Sequence, residues 1–256
     1  MVFIGEARDM RQHFGIARSA GLGAAMARDF AKKGRDLALC ARRLDALESL
    51  RDELHAAHPN IKVAVHALDV DDHTAIPSVF AQLREELDGL DRVIVNAGIG
   101  KGARIGTGRA DANIATATTN FVSALAQTEA ALEIFRAERS GHLVLVSSMS
   151  AVRGLPGTKA AYSASKAGLA ALGEALTVEF AQSPITVTTL LPGFIATDMA
   201  AKAGDARMVA PLDKGVAAMV RAIEREQIRA CVPGWPWRLI DLVLPHLPRA
   251  VVARMS

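Results

Sequence analysis

Short apolar stretches alternate with amphipathic stretches along nearly the whole chain. The apolar, strand-like stretches are residues 36–41, 61–70, 91–98, 141–148, 184–193 and 229–233. Charged helical patterns lie between them, such as "RRLDALESLRDELHAAH" after the first stretch and a long pattern over about 112–137. Strands that alternate with helices of ten or more residues indicate βαβ units with parallel strands. The pattern therefore predicts an α/β fold, a doubly wound domain with about seven parallel strands and helices on both faces.

Composition favours one large domain. Of the 256 residues, 50% are hydrophobic and only 4% aromatic, which predicts a sizeable aliphatic core. Because no repeat, low-complexity tract or linker interrupts the pattern, we expect residues 1–256 to form a single domain. The net charge is +3 and the Lys and Arg residues are dispersed, so nucleic-acid binding is not favoured.

Nothing in the sequence indicates secretion, membrane insertion or metal binding. The first residues lack the basic and apolar regions of a signal peptide, and no apolar run approaches the roughly 18 residues of a membrane span. Cys40 and Cys231 lie in apolar strand-like stretches and are expected to be buried free thiols, with no metal-ligand spacing around them. We therefore expect a cytoplasmic protein without a bound metal.

The segment "YSASK" carries the clearest candidate chemistry. Tyr162 and Lys166 are four residues apart in a helical pattern, so both side chains leave the same helix face. A phenol has a pKa of about 10, and a neighbouring ammonium favours the phenolate, which brings the group closer to the range useful for general acid–base catalysis. Tyr162 is the only tyrosine, and it follows a strand-like stretch that ends in Ser147 and Ser148. A serine hydroxyl there can hydrogen-bond a carbonyl or alcohol oxygen while the tyrosine moves a proton.

Seven short motifs occur in the order typical of one enzyme family. They are "GLG" at 21–23, "LDV" at 68–70, "NAG" at 96–98, "TNF" at 119–121, "VSS" at 146–148, "YSASK" at 162–166 and "PGFIATDM" at 192–199. With these motifs the chain resembles the short-chain dehydrogenase/reductase family over about residues 21–232. The resemblance implies a Rossmann-type fold, an NAD(P) cofactor and hydride transfer between an alcohol and a ketone or aldehyde.

The resemblance assigns a catalytic tetrad to Asn120, Ser148, Tyr162 and Lys166. Tyr162 would be the general acid or base and Ser148 would polarise the substrate oxygen, while Lys166 would also bind the nicotinamide ribose. The amide of Asn120, inside the long helix after the fourth strand, can hold a water that connects Lys166 to solvent. The family usually places the serine thirteen residues before the tyrosine, whereas Ser148 precedes Tyr162 by fourteen. Ser147 and Ser150 therefore remain alternatives.

The end of the second strand distinguishes NADP from NAD. Ala41 stands where an acidic residue would bind the ribose 2′-hydroxyl, and Arg42 and Arg43 follow it. A guanidinium suits a 2′-phosphate, so we expect NADP(H), bound there by Arg42. The alternative is that both arginines only solvate the start of a helix. The resemblance also implies cofactor contacts from Tyr162, Lys166, Ser19, Gly21, Leu22, Gly23, Asp69, Val70, Asn96, Ala97, Gly98, Pro192, Gly193, Ile195 and Thr197.

The glycine-rich loop departs from the family pattern, which is Thr-Gly, three residues and then Gly-x-Gly. Gly21 and Gly23 match the last two glycines, whereas Ala17 occupies the position of the first. Because "RDMRQHF" (8–14) is too charged for a central strand, we favour residues 1–5, "MVFIG", as the first strand, with Gly5 as the turn glycine and an insertion over about 6–18. The alternatives are a simple substitution at Ala17 and an altered N-terminal segment. In each case we expect pyrophosphate binding at the helix N-terminus to be weakened but not lost.

The last third of the chain bears on substrate and assembly. Residues 198–212 correspond to the mobile substrate lid of the family, and their small, mixed composition suggests a small apolar carbonyl or alcohol substrate. The tail over 233–256 holds both tryptophans; it packs on its own domain, on a second subunit or on a membrane surface, with the first favoured. By resemblance, a homodimer or homotetramer is expected. A catalytically silent scaffold or regulatory binding protein is the alternative function, favoured by the altered glycine loop.

Overall fold

Seven parallel strands form one sheet in the computed structural model, which describes residues 14–17, 21–197 and 208–255. The strands are β1 (Phe14–Ala17), β2 (Leu37–Ala41), β3 (Val63–Ala67), β4 (Arg92–Val95), β5 (Gly141–Val146), β6 (Ile185–Pro192) and β7 (Arg229–Val232). They lie in the order β3-β2-β1-β4-β5-β6-β7, and every neighbouring pair is parallel. The prediction of a doubly wound α/β fold with about seven strands is confirmed.

Helices connect the strands and pack on both faces of the sheet. They are α1 (Leu22–Ala31), α2 (Leu44–Ala57), α3 (Ile76–Leu87), α4 (Ala110–Ala117), α5 (Ser123–Glu138), α6 (Ala160–Glu179), α7 (Leu212–Glu224), α8 (Gly234–Val243) and α9 (Arg249–Val252). A π-helical turn, Thr118–Val122, joins α4 to α5 and interrupts the long helix predicted over about 112–137. In the part of the chain that the structure describes, no helix is long and apolar enough to cross a membrane.

Neighbouring residues of each strand face opposite sides of the sheet, which explains why the strands are apolar throughout. In β4, Val93 and Val95 belong to the same buried cluster as Phe135 of α5. Ile94, between them, belongs to the cluster on the other face, which contains Phe30 of α1. The sheet is thus buried on both sides, and only its ends remain open to bind ligands.

The first strand is Phe14–Ala17, which pairs with β2 on one side and with β4 on the other. The prediction that residues 1–5 supply this strand, with Gly5 as its turn glycine, is therefore wrong. Among the described residues before α1, the short apolar segment "FGIA" forms this strand. Residues 1–5, with Gly5, lie outside the described residues. Four residues suffice here because both edges of the strand have hydrogen-bonding partners. Ala17 consequently ends β1 itself, as the substitution alternative requires.

The strand order reverses between β1 and β4, and this reversal determines where a ligand site is expected. In open α/β sheets, ligands bind in the crevice beyond the carboxyl ends of the strands at such a point. The residues that end the four strands nearest to it are Ala41 of β2, Ala17 of β1, Val95 of β4 and Val146 of β5. The loops that follow these strands are therefore the first place to look for function.

A buried polar cluster joins the sheet to the end of α7, away from that crevice. Arg92 Nε donates to His142 Nδ1 at 2.6 Å, and His142 Nε2 lies 2.8 Å from Thr188 Oγ1. Because Nδ1 accepts a hydrogen bond, the neutral ring carries its proton on Nε2. Glu224 and Glu226 accept from the Arg92 guanidinium at 3.3 and 3.4 Å. Burial, together with the Arg92 charge, lowers the pKa of His142 to about 3.

We expect acidification to destabilise the protein through His142. The unfolded chain protonates this side chain near its ordinary pKa of 6.5, whereas the folded chain does so only at about 3. Its stabilising contribution is therefore complete above pH 6.5 and is lost as the pH falls towards 3, with a slope of at most about 1.4 kcal/mol per pH unit. Urea unfolding of the wild type and of His142→Gln tests this at neutral pH and at about pH 5. The variant should be less stable at neutral pH, and the difference should shrink at the lower pH; a constant difference would contradict the assignment.

Candidate active site

The carboxyl ends of β4 and β5 and the first half of α6 bring the predicted tetrad together. Residues 96–98 follow β4 and are buried, and Ser147 and Ser148 follow β5. Tyr162 and Lys166 lie one turn apart in α6, which packs against the 3₁₀ turn Met149–Ala151 after β5. These elements therefore meet at one end of the sheet, beside the point where the strand order reverses.

Lys166 is buried at the centre of this arrangement. Its ammonium Nζ donates to the carbonyl oxygen of Val146, the last residue of β5, at 2.8 Å. Only 4% of the residue is exposed. A Cβ atom at Gly98 would lie 3.4 Å from the same Nζ, so the loop after β4 passes directly over the ammonium. Tyr162, one helical turn earlier, is half-buried and thus remains within reach of a ligand.

The structure distinguishes the candidate serines. Ser147 is buried, and its hydroxyl donates to the backbone carbonyl of Lys166 at 2.7 Å. Ser148 is half-buried, and its Oγ accepts from the Ser150 N–H at 3.1 Å. Ser147 therefore holds α6 against the sheet, whereas the Ser148 hydroxyl keeps its proton available for a substrate oxygen. The bond to the Lys166 carbonyl thus sets Ser147 apart, whereas Ser150 is half-buried like Ser148, and the role of Ser148 towards a substrate stays a prediction.

Asn120 lies in the π-helical turn rather than in a regular helix. Its Oδ1 accepts from the Ile99 N–H at 2.7 Å, while its Nδ2 donates to the Ile99 carbonyl at 2.9 Å and to Ser165 Oγ at 3.3 Å. The amide thus fixes the backbone that follows Gly98 and links it to α6. That this amide also holds a water for Lys166 stays a prediction. π-helical turns inside helices often occur at functional sites, in line with this position.

Asp71 is a supporting residue that the sequence analysis missed. Its two carboxylate oxygens accept from Thr119 Oγ1 at 2.8 Å and from Ser123 Oγ at 2.7 Å, on either side of Asn120. This carboxylate therefore holds the π-helical turn against the loop after β3. The available signal was weak, since only its position directly after the "LDV" motif sets Asp71 apart.

The amino end of α1 is open to an anion. Gly21 precedes the helix with a φ of +65°, a conformation that favours glycine, and a Cβ atom there would meet nothing within 4 Å. Gly21 has no side chain to cap the helix, and among the described residues no side chain accepts from its first N–H groups, which suits an anion as their acceptor. Leu22 and Gly23 form the first residues of α1. Ser19, also predicted to contact the cofactor, lies outside the described residues.

Two further groups of predicted cofactor residues follow β2 and β3. Arg42 and Arg43 come directly after Ala41, and both are exposed. Asp69 is exposed as well, and its Oδ1 accepts from the Asp71 N–H at 3.2 Å, while Val70 is half-buried. The end of β2 thus presents guanidinium groups where a carboxylate would have opposed a 2′-phosphate.

The residues that follow β6 lie on the remaining side of the crevice at the carboxyl ends of the strands. Pro192 ends the strand, Gly193 is half-buried, and Ile195 is buried and pairs with Ala210 in an isolated parallel bridge. Thr197 is the last described residue before the predicted lid. Residues 198–207 of that lid lie outside the described residues, and its last residue, 212, begins α7. The bridge therefore brings the two ends of the lid segment together.

Trp237 of α8 supports this wall and was also missed. The indole is 5% exposed and packs edge-on against the Phe194 ring, with centroids 5.5 Å apart. A Cβ atom at Gly193 would lie 1.9 Å from Trp237 Cε2, so the ring lies directly on the glycine. Met149, next to Ser148, belongs to the same apolar cluster. The tail thus packs on its own domain at Trp237, as favoured, while Trp235 is 76% exposed.

The two cysteines are buried free thiols, as predicted. Burial raises the pKa of Cys40 to about 12 and that of Cys231 to about 11, so both stay protonated and unreactive near neutral pH. Within residues 21–197 and 208–255, no group of three or more His, Cys, Asp or Glu side chains is placed to hold a metal ion.

The sequence of this chain is similar to the sequences of known proteins. The sequence profile described as short chain dehydrogenase matches residues 16–208. The chain belongs to the short-chain dehydrogenase/reductase family. It is 56% identical over 235 residues to an uncharacterized oxidoreductase from Mycobacterium tuberculosis, covering 90% of this chain and 93% of that protein. To an uncharacterized oxidoreductase from Myxococcus xanthus it is 38% identical over 186 residues, covering 72% and 71%.

Solved structures share the fold of this short-chain dehydrogenase. Levodione reductase superposes with a TM-score of 0.80 at 22% identity, covering 90% of this chain and 99% of that chain. The NADPH-dependent 3-quinuclidinone reductase from Rhodotorula rubra gives 0.78 at 22% identity, covering 91% and 97%. The protein is thus a Rossmann-type oxidoreductase, and the alternative of a silent scaffold is not favoured.

We expect the contact between Gly193 and Trp237 to behave as a unit. Gly193→Ala places a methyl group inside the volume of the indole, so overpacking should cost about 1–3 kcal/mol in the free energy of unfolding. The clash is absent when Trp237 is replaced by leucine. Gly193→Ala should therefore lower the free energy of unfolding less in the Trp237→Leu variant than in the wild type. Urea unfolding of the four proteins measures the coupling. Additive effects would show that the indole does not rest on this glycine.

Proposed function

We propose that this short-chain dehydrogenase is an NADP(H)-dependent oxidoreductase that interconverts an alcohol and a ketone or aldehyde. The observation that carries the proposal is the Tyr162–Lys166 pair, which occupies one face of α6 with the ammonium fixed on the end of β5. Family membership supports the class of reaction. The geometry at the end of the sheet supports Tyr162 as the group that moves the proton.

In this proposal Tyr162 donates its hydroxyl proton to the carbonyl oxygen during reduction and takes it back during oxidation. The Lys166 ammonium, one turn away, stabilises the phenolate that is left behind. Because Lys166 is buried and held by the Val146 carbonyl, its charge is screened little by solvent and stays in place during turnover. Fixed positive charge next to a developing anion is the main electrostatic contribution that such a site can make.

Ser148 orients the substrate oxygen. Its half-buried hydroxyl donates a hydrogen bond to that oxygen while its own Oγ accepts from the Ser150 N–H. The backbone bond limits the rotation of the hydroxyl, so the donor is pre-organised before substrate binds. Ser147 contributes indirectly, since its bond to the Lys166 carbonyl fixes the distance between β5 and α6.

The residues of the crevice fit a dinucleotide with a 2′-phosphate. The open amino end of α1 behind Gly21 suits the diphosphate, and small residues at 96–98 leave room for the chain of the cofactor. Exposed Arg42 suits the 2′-phosphate, and Asp69 suits the adenine amino group. When bound, the nicotinamide supplies or accepts the hydride. Residues 192–197 and Lys166 would hold its nicotinamide half.

The proposed substrate is a small molecule, and the proposed assembly is a homodimer or homotetramer in the cytoplasm. Apolar side chains remain exposed on α8, where Trp235, Leu239 and Leu242 are 76%, 50% and 70% exposed. Exposed apolar residues close together on one segment are a usual feature of surfaces that contact a partner. These exposed apolar residues support assembly with further copies of the chain. The surface charges are dispersed and support no other class of partner as strongly.

Tyr162→Phe should remove turnover while cofactor binding stays nearly unchanged, because only the hydroxyl is lost. Loss of a general acid typically lowers kcat by about a hundredfold to ten-thousandfold. Reduction of a panel of aldehydes and ketones with NADPH, followed by absorbance, gives kcat, and calorimetry gives the cofactor Kd. Ser148→Ala should lower kcat as well, whereas Ser150→Ala is the matched control with little effect. Retained turnover in the Tyr162 variant would refute its role.

Arg42→Asp should shift the cofactor preference towards NADH. The variant loses a charge-assisted hydrogen bond and gains a carboxylate that repels the 2′-phosphate. Both changes weaken the binding of NADPH, by about 1.5–3 kcal/mol or more. Calorimetric titration of both cofactors into the wild type and the variant measures the ratio of the two Kd values. Arg43→Asp is the control at the adjacent exposed position. An unchanged ratio in the Arg42 variant would show that another residue selects the cofactor, and no binding of either cofactor to the wild type would overturn the enzyme proposal.

A further inference from the structure

A cavity of about 490 Å³ lies between the segment that precedes α6 and the C-terminal helix α9. Its lining residues are Arg153, Gly154, Leu155, Pro156, Arg249, Val252 and Ala253. The cavity opens widely to solvent, so it suits one end of a small organic molecule rather than an enclosed ligand. None of these residues has a role in the site described above, so the cavity needs an explanation of its own.

The cavity is connected to the proposed catalytic helix. Its wall over 153–156 belongs to the segment that runs from Ser148 to Tyr162. The Leu155 N–H donates to Ser163 Oγ at 3.1 Å, and Ser163 is the residue directly after Tyr162. The wall is thereby attached to α6 one residue after Tyr162, which relates the cavity to the proposed proton donor through this hydrogen bond.

The lining combines apolar surface with positive charge, and no Asp or Glu side chain of the described residues belongs to it. Two donors of the Arg153 guanidinium are already used, because it donates to the carbonyls of Pro245 and Leu247 at 3.1 and 3.5 Å. Those two bonds also position the tail that carries Arg249. Arg249 is exposed at the start of α9, and no ion pair within the described residues involves it. Leu155, Pro156 and Val252 supply the apolar part of the wall.

We propose that this cavity binds the anionic end of the substrate, a carboxylate or phosphate carried on an apolar body whose carbonyl or alcohol group reaches Tyr162. Guanidinium groups bind such oxyanions with paired, charge-assisted hydrogen bonds. The apolar wall covers the body of the same molecule. This inference rests on the proposed function, because it assigns the substrate class of that site. In this proposal Arg249 determines which substrate binds and takes no part in the proton transfer.

Binding without turnover tests the cavity independently of the reaction. Calorimetry with octanoate, octyl phosphate and neutral octanamide, each added to the protein saturated with NADP⁺, compares the two anions with an uncharged analogue. We expect the wild type to bind one or both anions at least about tenfold more tightly than the amide. Preference between octanoate and octyl phosphate identifies the anion. Equal affinity for the amide, or no measurable binding of either anion, would overturn the proposal.

Three variants locate the binding. Arg249→Gln removes the charge and should abolish the preference for anions. Gly154→Leu should block the cavity, since a side chain there meets open space and the residue is not among the glycines with positive φ. Arg254→Gln, an exposed arginine of the same tail outside the lining, is the matched control and should change nothing. Anion binding that survives both cavity variants, or that is lost in the control, would place the site elsewhere.

Turnover then connects the cavity to catalysis. Aldehydes that carry a terminal carboxylate at increasing chain length are compared with their methyl esters, using NADPH. We expect KM to be at least about tenfold lower for the acid at one favoured length, and Arg249→Gln to remove this difference with little change in kcat for the ester. Equal KM values for acid and ester at every length would overturn the substrate class. Absence of any aldehyde reduction, with anion binding intact, would instead reject the proposed function.

Discussion

The hydrogen bond from the Lys166 ammonium to the carbonyl of Val146 is the contact on which the site depends. A buried ammonium is stable only where its donors are satisfied, and the last carbonyl of β5 accepts from one of the three N–H groups of Lys166. Ser147, the next residue, returns a bond from its hydroxyl to the Lys166 carbonyl at 2.7 Å. Two bonds in opposite directions therefore join the strand end to one residue of α6. Since Ser148 follows this strand end and Tyr162 precedes Lys166 by one turn, the same pair of bonds sets the distance between the proposed proton donor and the proposed oxygen ligand.

Close packing around this contact explains the small residues nearby. A Cβ at Gly98 would lie 3.2 Å from Asn120 Oδ1 and 3.4 Å from Lys166 Nζ, so a larger residue would push the loop away from both polar groups. The π-helical turn orients Asn120 towards the backbone of Ile99, and Asp71 holds that turn from the other side. Backbone, amide and ammonium are thus fixed relative to one another by short polar contacts rather than by apolar packing. Such a network tolerates little adjustment, which suits a site where a proton must move over a defined distance.

The sequence predicts those elements that depend on residues close together in the chain. Contacts between distant segments could not be predicted from it. β2 to β7 were predicted because each is an apolar run buried on both faces. The first strand was not, because four residues beside a charged segment carry little signal and their position depends on the two neighbouring strands. Ser148 was preferred only by resemblance, with Ser147 as an alternative, since adjacent residues at a strand end point to opposite sides and only the fold shows that Ser147 bonds to α6. Trp237 was missed because its contact with Gly193 joins two segments distant in the chain.

The altered glycine loop bears on cofactor choice once the first strand is known. Ala17 ends β1, and Gly21 supplies the one positive φ described between that strand and α1. An alanine in place of a glycine costs about 1–3 kcal/mol only where the backbone must adopt an unusual φ, whereas Ala17 lies in a strand and is not among the residues with positive φ. A guanidinium bound to a phosphate contributes about 1.5–3 kcal/mol. In the proposed NADP(H) complex, a contact between Arg42 and the 2′-phosphate would therefore add to the binding of the diphosphate at the amino end of α1, where Gly21 supplies the unusual φ. A cofactor without that phosphate would lack this contact, so the arginine after β2 is the feature that supports the proposal of NADP(H).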